Sequence, residues 1–473
     1  MVVEKRDRKQ KKVKRNKREE CGDMDLVLTV GRDCLLKHIP LVLEKKLKEA
    51  LTIDNPEYLA AKKYGRWIGK RLKPQLKYYE PVVQGLRFPR GFANRAVLLC
   101  RQECGQDPQI IDQRRRLAEV DFHFLGKLRD YQQEALAAAE KRSFGVLEAG
   151  TGSGKTVMAL ALIAQRRQPT IIVVHTKELL HKWRDRVLEF LDVEAGQVGD
   201  GKYTTREVTV AIVNSARKRV EELVPLFGHL VVDECHRVPA TLFTEVVSRF
   251  NCHYQLGLSA TAFRSARETT KLIYYFMGDR IHRVDQEELK ATGAILAPEI
   301  IRRTTDFTYR YTGKYHALIK KLVTHEGRNR QILDDILDIL AKGEQGSVLV
   351  VSDRVSHCRF FQEKLMAHGI HCELLHGQVP AEERAAIVEA VQRGDVDVLV
   401  ATLQLISEGF DCPGLSTLFL TTPISFEGRL LQVIGRIMRP ADNKRARVYD
   451  YVDEKIPTLN RSAEARSLVL SKL

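Results

Sequence analysis

The chain has 473 residues, enough for about three domains and more than one buried core. Its formal net charge of +16 is concentrated toward the N-terminus, with a basic excess of +6 in residues 1–20, +7 in residues 21–120 and +3 in the remainder. Nine cysteines form no Cys-x-x-Cys pair, and no apolar run approaches the length of a membrane span. The sequence therefore argues against a zinc module and an integral membrane protein. It predicts a soluble, intracellular protein, cytoplasmic by default.

The N-terminal quarter is predicted to hold a basic tail followed by a mixed α+β region. Residues 1–20 are Lys- and Arg-rich with few apolar residues, a composition typical of disorder. Beyond them, residues 26–30 alternate like a strand, residues 39–51 have helical spacing, and residues 82–99 look strand-like. A basic excess of this kind favours nucleic acid as a partner, because neutralised phosphates release counterions.

Cations and aromatic residues are interleaved between residues 62 and 79. Such a mixture suits phosphate contacts combined with base stacking, although an ordinary basic helix with core aromatics explains it equally well. The residues are Lys62, Lys63, Arg66, Lys70, Arg71, Lys73 and Lys77, with Tyr64, Trp67, Tyr78 and Tyr79.

A glycine-rich turn between an apolar run and a helical pattern is the most informative stretch. Residues 148–156 read Glu-Ala-Gly-Thr-Gly-Ser-Gly-Lys-Thr. Glycines let backbone amides turn inward, and a helix N-terminus favours an anion, so this turn is predicted to bind a polyphosphate. Lys155 would reach the outer phosphates and the Thr156 hydroxyl would bind Mg²⁺. The predicted nucleotide-binding residues here are Gly150, Thr151, Gly152, Ser153, Gly154, Lys155 and Thr156.

Two adjacent carboxylates follow another apolar run. Residues 229–232 are predicted to be a buried strand that leads into Asp233-Glu234-Cys235-His236, about 80 residues after the glycine-rich turn. Asp233 can hold the water shell of Mg²⁺, and Glu234 can orient and deprotonate the attacking water.

Polar residues elsewhere in this α/β region indicate a function less specifically. Gln132, upstream of the glycine-rich turn, could read the adenine edge with both groups of its amide. Buried strands are predicted at residues 171–174 and 254–258. Ser259 and Thr261 follow the second of them and could couple a nucleotide site to movement of a neighbouring domain.

A second alternation of strands and helices is predicted after a connector of lower order, at about residues 298–343. It lacks a glycine-rich turn of its own. Arg436 and Arg439 lie three residues apart, so both could point at a γ-phosphate if the segment is helical. Arginine suits that role because it is always charged and forks onto phosphate oxygens. The predicted strands are residues 348–351, 372–375, 396–401 and 417–420.

Taken in order, these motifs resemble those of superfamily-two helicases of the DEAD/DEAH-box group, near the XPB-type DNA helicases and translocases. The resemblance covers about residues 121–456 and rests on Gln132, the glycine-rich turn, Asp-Glu-Cys-His, Ser-Ala-Thr, Glu-Gly-Phe-Asp and Gln-x-x-Gly-Arg-x-x-Arg. It implies a nucleic-acid-dependent ATPase with ATP and Mg²⁺, and DNA favoured over RNA. Residues 262–266 depart from the family pattern, which bears on strand separation and not on ATP hydrolysis.

The resemblance also implies roles for individual residues. Catalysis would fall to Lys155, Glu234, Arg436 and Arg439, and Mg²⁺ to Thr156 and Asp233. Gly409 and Asp411 would join the nucleotide-binding set. Coupling residues would be Ser259, Thr261 and Gln432.

The expected fold class is α/β, with two tandem RecA-like domains, an N-terminal α+β extension and a disordered tail. The expected boundaries are 1–20 for the tail, 21–120 for the accessory domain, 121–298 for RecA-like domain 1, 299–343 for a linker, 344–456 for RecA-like domain 2 and 457–473 for a C-terminal tail. Three alternatives stay open: the motor of a restriction or defence nuclease, an RNA helicase, and a non-enzymatic basic binding module.

Overall fold

The computed structural model describes residues 25–473 apart from 64–66, 68, 70–71, 238–240, 261–267, 344–345, 408–411, 413, 425–426 and 442. The predicted disordered tail, residues 1–20, lies outside the described residues. Two compact units are present. The first runs to Ala149 and resumes over Lys155–Arg283, and the second comprises Gly150–Gly154 and Val284–Leu473. Among the described residues no helix is both long and apolar enough to cross a membrane.

The N-terminal region of the first unit is a small α+β layer. Its five-stranded sheet has the order β5-β6-β2-β1-β7, antiparallel except for the β1–β7 pair, and β3 and β4 form a separate ribbon. The strands are β1 Val27–Val30, β2 Asp33–Lys37, β3 Thr52–Asp54, β4 Gln75–Lys77, β5 Glu80–Val82, β6 Gly85–Pro89 and β7 Gln109–Asp112. The helices are α1 Leu41–Ala50, α2 Pro56–Lys63 and α3 Ala93–Cys104.

An eight-stranded sheet forms the rest of the first unit. Its order is β11-β10-β12-β9-β13-β14-β8-β15, and all neighbours are parallel except β10 and β11. The strands are β8 Phe144–Glu148, β9 Thr170–Val174, β10 Gly196–Gly199, β11 Lys202–Thr204, β12 Val208–Ile212, β13 His229–Val232, β14 Tyr254–Ser259 and β15 Arg280–Arg283. The helices are α4 Asp130–Glu140, α5 Lys155–Arg166, α6 Lys177–Leu191, α7 Val213–Lys218, α8 Val220–Leu223, α9 Thr241–Val247 and α10 Glu268–Met277.

The second unit is built on a six-stranded parallel sheet of order β16-β21-β20-β17-β19-β18. The strands are β16 Glu299–Thr304, β17 Ser347–Ser352, β18 Cys372–Leu375, β19 Val398–Thr402, β20 Leu415–Leu420 and β21 Arg447–Val452. The helices are α11 Gln286–Ala291, α12 Tyr315–Val323, α13 Glu326–Ala341, α14 Val355–Ala367, α15 Ala381–Arg393, α16 Leu403–Ser407, α17 Glu427–Ile434 and α18 Pro457–Leu470.

The two parallel sheets confirm the predicted α/β fold, since their strands are continuous apolar runs buried on both faces. Short three-to-six-residue strands of this kind cannot stand alone, and helices cover them. Each predicted apolar strand is present within two residues of its expected ends.

Three expectations are corrected. The supposed linker, residues 299–343, contains β16, which pairs with β21 along its whole length. Residues 315–340 of this segment, which the sequence marks as helix-like, form α12 and α13. The supposed C-terminal tail is α18, which buries Leu459, Ala463 and Leu470. The strand-like reading of residues 82–99 holds only to Pro89, because residues 93–104 form α3 and bury its apolar face at helical spacing.

The accessory layer shares its core with the eight-stranded sheet. Leu272 and Tyr275 of α10 belong to the same buried cluster as the apolar residues of β1, β2 and α3. The buried Arg90 donates to Cys252 O at 2.8 Å and also bonds the side chain of Gln255. Gly91 has no room for a side chain, since a Cβ there would lie 2.5 Å from Gly278 N. The layer is therefore an integral part of the first unit.

Candidate active site

The glycine-rich turn joins a buried strand to a helix, as the sequence predicts. β8 ends at Glu148 and α5 begins at Lys155. Between them, Gly152 and Gly154 adopt φ angles of 86° and 79°, a left-handed conformation that L side chains rarely tolerate. The turn thus brings backbone amides to the N-terminus of a twelve-residue helix, which is the arrangement that binds phosphate.

Side chains of the turn bond to its own backbone. Ser153 is fully buried, and its hydroxyl donates to Gly150 O at 2.7 Å. The Lys155 ammonium donates to Ala149 O at 2.9 Å. Lys155 therefore stands at the open end of the turn with a carbonyl as its partner, which a phosphate oxygen can replace. Thr156 occupies the second position of α5.

Asp233 and Glu234 follow β13, two strands away from β8 in the sheet. Asp233 accepts hydrogen bonds at both oxygens, from the Trp183 indole N–H at 2.8 Å and from the Glu234 amide at 2.9 Å. Glu234 has a φ of 49°, an uncommon conformation for a residue with a Cβ. The sequence predicts the carboxylate pair, whereas Trp183 lies on the separate helix α6 and no sequence signal links it to Asp233.

The two carboxyl groups differ in acidity. Burial and the charge of Glu234 raise the pKa of Asp233. Burial would also raise the pKa of Glu234, but the His236 ring, 3.1 Å from its Oε2, and the charge of Lys155 outweigh it and lower that pKa to about 2. Glu234 is therefore ionised throughout the neutral range, and Lys155 is close enough to act on both carboxyls.

This donor set fits Mg²⁺. A buried pair of carboxyls, one of them with a raised pKa, is stabilised in the ionised form by a hard divalent cation. Glu234 Oε2 is buried and has no hydrogen-bond partner among the described residues. Asp233 and Thr156 are the residues that would hold the ion, as the sequence predicts.

His236 connects the carboxylates to the end of β14. Its Nδ1 lies 3.1 Å from Ser259 Oγ and also 3.1 Å from Glu234 Oε2. Ser259, predicted as a coupling residue, is fully buried and is thus in contact with the carboxylate segment. Thr261, its predicted companion, lies outside the described residues.

Gln132 lies in the first turn of α4. Its Oε1 accepts from the Arg129 amide at 2.9 Å, so the side chain caps the helix. The capping bond fixes the position of Gln132. Its predicted contact with adenine stays a prediction.

Of the predicted site residues in the C-terminal part of the second unit, three are described by the structure and two lie outside the described residues. Gln432 lies on α17, but that helix ends at Ile434, so Arg436 and Arg439 do not share a helix face as the conditional argument required. Arg436 is buried and donates from Nε to Ile406 O at 3.2 Å, and Arg439 O accepts from Lys444 at 2.8 Å. Gly409 and Asp411 lie outside the described residues.

Gly435, just after α17, packs against the glycine-rich turn within the second unit. A Cβ at this position would lie 2.6 Å from the Cβ of Thr151, closer than real side chains approach. The residue before Arg436 must therefore be glycine, and this contact is a geometric reason for its presence.

The aromatic residues of the basic stretch between residues 62 and 79 differ in their burial. Tyr78 packs against Tyr275 and Phe276 with ring centroids 5.4 and 5.9 Å away, so it is a core residue. Tyr79 instead borders a surface cavity of about 650 Å³ between α1 and β4, with Lys48 and Lys77 each 6.0 Å from its ring centroid. Trp67 is 90% exposed. The remaining members include Tyr64, Arg66, Lys70 and Arg71, which lie outside the described residues.

Comparison with known families matches both α/β regions. Residues 125–264 match the family described as type III restriction enzyme, res subunit, and residues 329–441 match the helicase conserved C-terminal domain. The DNA 3'-5' translocase XPB2 of Sulfurisphaera tokodaii is 28% identical over 354 residues, which cover 67% of this chain and 80% of that protein. The putative DNA 3'-5' helicase Rad25 of Haloarcula marismortui is 27% identical over 343 residues, covering 69% of this chain and 52% of that protein.

This chain is a superfamily-two helicase of the XPB-like group. A further relative, the general transcription and DNA repair factor IIH helicase/translocase subunit XPB of Antonospora locustae, is 23% identical over 370 residues, or 71% of this helicase and 52% of that protein. The helicase thus spans about half the length of several of its curated relatives. The family match confirms the resemblance stated from the sequence motifs.

Solved structures agree with this helicase in fold. The structure titled S. cerevisiae Dbp5 bound to RNA and ADP BeF3 has a TM-score of 0.54 at 15% identity, covering 74% of this chain and 88% of that one. A putative HsdR subunit of a type I restriction enzyme from Vibrio vulnificus also gives 0.54, at 17% identity, covering 71% and 67%. Both comparisons support the two RecA-like domains.

Proposed function

We propose that the protein is an ATP-dependent DNA translocase or helicase. One observation carries the proposal: the glycine-rich turn and the carboxylate pair stand at strand ends of one parallel sheet, with Lys155 acting electrostatically on Asp233 and Glu234. Polar groups at the carboxyl edge of such a sheet form its ligand site. This combination binds a nucleoside triphosphate and places a base beside it.

Each residue has a defined task in hydrolysis. The amides of residues 150–154 bind the phosphates, and Lys155 exchanges Ala149 O for an outer phosphate oxygen. Glu234, ionised at neutral pH, orients the attacking water and accepts its proton. Asp233 and Thr156 hold Mg²⁺, which when bound offsets the negative charge of the phosphates.

The arginines of the second unit are proposed to sense the γ-phosphate. Arg436 and Arg439 supply guanidinium groups, which fork onto phosphate oxygens and stabilise charge that develops on the transferred phosphoryl group. Gln132 is proposed to read adenine, and Gly409, Asp411, Gln432 and Thr261 to bind nucleotide or couple hydrolysis to movement. After hydrolysis the arginines would lose their contact with the γ-phosphate, and repeated cycles would move the bound nucleic-acid strand in steps.

DNA is the proposed substrate, and translocation in the 3'-to-5' direction follows the activities named for the archaeal relatives. The surface around Tyr79, Lys48 and Lys77 is proposed to contact it, because an aromatic ring between cations suits both base stacking and phosphate contacts. A role in DNA repair and an intracellular location are proposed on the same basis.

The decisive experiment measures ATP hydrolysis by the whole chain with single-stranded DNA, duplex DNA and RNA in parallel. We expect DNA to stimulate turnover more than RNA does. Lys155→Ala and Glu234→Gln should each lower kcat roughly a hundredfold or more, as expected for groups that act on the transition state. Undiminished turnover in either variant would refute the assignment, and equal or greater stimulation by RNA would move the substrate to RNA.

A restriction motor is the second candidate, because residues 125–264 match the res subunit of a restriction enzyme. The chain would then act with a nuclease partner. Incubation of the purified chain with ATP, Mg²⁺ and supercoiled DNA tests the simplest form of this idea. Specific cleavage would favour the restriction system, and tracking without cleavage would leave a motor with a separate nuclease partner as the only form of this candidate.

A further inference from the structure

Three polar atoms near the carboxylate pair are buried and have no hydrogen-bond partner in the part of the chain that the structure describes. They are Glu234 Oε2 and both ring nitrogens of His175. An unsatisfied buried polar atom costs about 1–3 kcal/mol, and more when the group is charged. Three of them beside a hydrolytic centre indicate a shared polar ligand.

The sheet brings these atoms to the same edge. Val173 of β9 is paired in register with Val232 of β13, and Asp233 N donates to Val173 O at 3.0 Å beyond that pair. His175 stands two residues after Val173, and Glu234 two residues after Val232. Each of the two side chains also perturbs the pKa of the other.

His236 cannot satisfy Glu234 and Ser259 together. Its Nδ1 is 3.1 Å from both Ser259 Oγ and Glu234 Oε2, but a ring nitrogen carries one hydrogen at most. The bond to Ser259 meets the geometry of a hydrogen bond, which leaves Oε2 without one. Glu234 therefore requires a second donor.

His175 has the chemistry of that donor. Burial and the charge of Arg237 lower its pKa to about 4, while Glu234 and Glu178 raise it and His236 lowers it further. The ring is therefore neutral near pH 7, with one N–H donor and one acceptor nitrogen. A water in a polar buried site needs two or more such partners.

We propose that His175 is a positioning residue for the hydrolysis step, which binds one buried water together with Glu234 Oε2 and so fixes the orientation of that carboxylate. The inference rests on the proposed function of Glu234 as the base. The water accepts the N–H of His175 and donates its own O–H to Glu234 Oε2, which holds that carboxylate in one orientation.

The test compares apolar and amide substitutions in DNA-stimulated ATP hydrolysis. His175→Leu and His175→Ala should lower kcat about tenfold, in the range seen when a supporting hydrogen bond is lost. The KM for ATP and the affinity for single-stranded DNA should stay within about twofold, because His175 is proposed to act through the orientation of Glu234 and not on either ligand. His175→Gln or His175→Asn should recover at least a third of wild-type kcat, since an amide replaces one ring nitrogen.

The control is His368→Leu, at an exposed histidine of the second unit, which should leave kcat unchanged. Turnover within twofold of wild type in the apolar variants, or amide variants as slow as the apolar ones, would overturn the proposal. So would a loss of DNA affinity that accounts for the whole effect. Thermal melting of every variant identifies a misfolded one, and the amide pair then decides the matter. Failure of the proposed function is distinguishable, because wild-type protein would then show no DNA-stimulated turnover.

Discussion

Glu234 combines an uncommon backbone conformation with the carboxylate that is proposed to act as the base. Its φ of 49° places a residue with a Cβ in the left-handed region, which costs about 1–3 kcal/mol. The bond from its amide to Asp233 Oδ1 holds the turn in place. Strain of this size persists only where the surrounding structure enforces it.

Trp183 is the support for Asp233, and its removal should weaken Mg²⁺ binding. Trp183→Phe keeps the ring but deletes the N–H that donates to Asp233 Oδ2. Because that bond lowers the pKa of a carboxyl whose burial already raises it, more Asp233 will be protonated. We expect the Mg²⁺ concentration that half-saturates ATP hydrolysis to rise roughly tenfold.

The control for this experiment is Trp67→Phe, since the sequence contains two tryptophans and Trp67 is 90% exposed. That variant should keep the wild-type Mg²⁺ dependence. An unchanged Mg²⁺ requirement in Trp183→Phe would show that the indole does not support the metal ligand.

At the residue scale, the sequence predicts which residues form the candidate site better than it predicts which side chains contact them. Lys155, Asp233 and Glu234 follow from strand–turn patterns, because strand ends of a parallel sheet converge on one edge. Trp183, which donates to Asp233, and His175, which is proposed to position Glu234, come from separate elements. No spacing rule links a residue on α6 to one after β13, so the three-dimensional structure is needed to find them.

At the scale of elements, the central apolar strands are predictable from the sequence and the edge strand β16 is not. The central strands are runs of Val, Ile and Leu buried on both faces, which is a strong signal. β16 is an edge strand of sequence Glu-Ile-Ile-Arg-Arg-Thr that is largely solvent-accessible, so its composition resembles a connector. Its pairing with β21, about 150 residues later, is non-local and invisible to pattern analysis.

The C-terminal helix should be necessary for the stability of the second unit. Arg466 of α18 is 4% exposed and donates to Oδ1 of Asp450 at 2.8 Å. Asp450 is itself fully buried. Arg466→Met preserves length and leaves that carboxylate without its main partner. Breaking a buried pair in this way costs about 3–5 kcal/mol, so we expect a clear fall in the unfolding midpoint in urea.

Arg461→Met, on the exposed side of the same helix, is the matched control and should change stability by less than about 0.5 kcal/mol. Equal midpoints for the two variants would mean that α18 is peripheral, as the tail interpretation held.

At the scale of the whole molecule, buried histidines should make stability fall in mild acid. Burial and the charge of Arg328 lower the pKa of His357 to about 3, and burial and the charge of Arg114 lower that of His253 to about 4. The unfolded chain binds these protons near pH 6.5, whereas the folded chain resists them until much lower pH. Their stabilisation is therefore complete above about pH 6.5 and is lost as the pH falls toward the folded values.

For His357 alone the loss between pH 7 and pH 4.5 amounts to roughly 2–3 kcal/mol. Its Nε2 is 3.0 Å from Asn329 Oδ1 and its Nδ1 is 3.0 Å from Ser352 Oγ, so the neutral ring is fully bonded. Urea unfolding of wild type and His357→Gln at both pH values measures the difference. The variant should lose less stability on acidification, and parallel losses in the two proteins would contradict the prediction.

The fusion of the accessory layer with the eight-stranded sheet has a mechanical consequence. Arg90 ties the layer to β14, Gly91 presses its backbone against the end of α10, and Tyr275 lies in the core of both. Through these contacts the described residues of the layer and the eight-stranded sheet form one rigid body. If the layer contacts a nucleic-acid strand, as proposed, it displaces that strand by as much as the sheet itself moves.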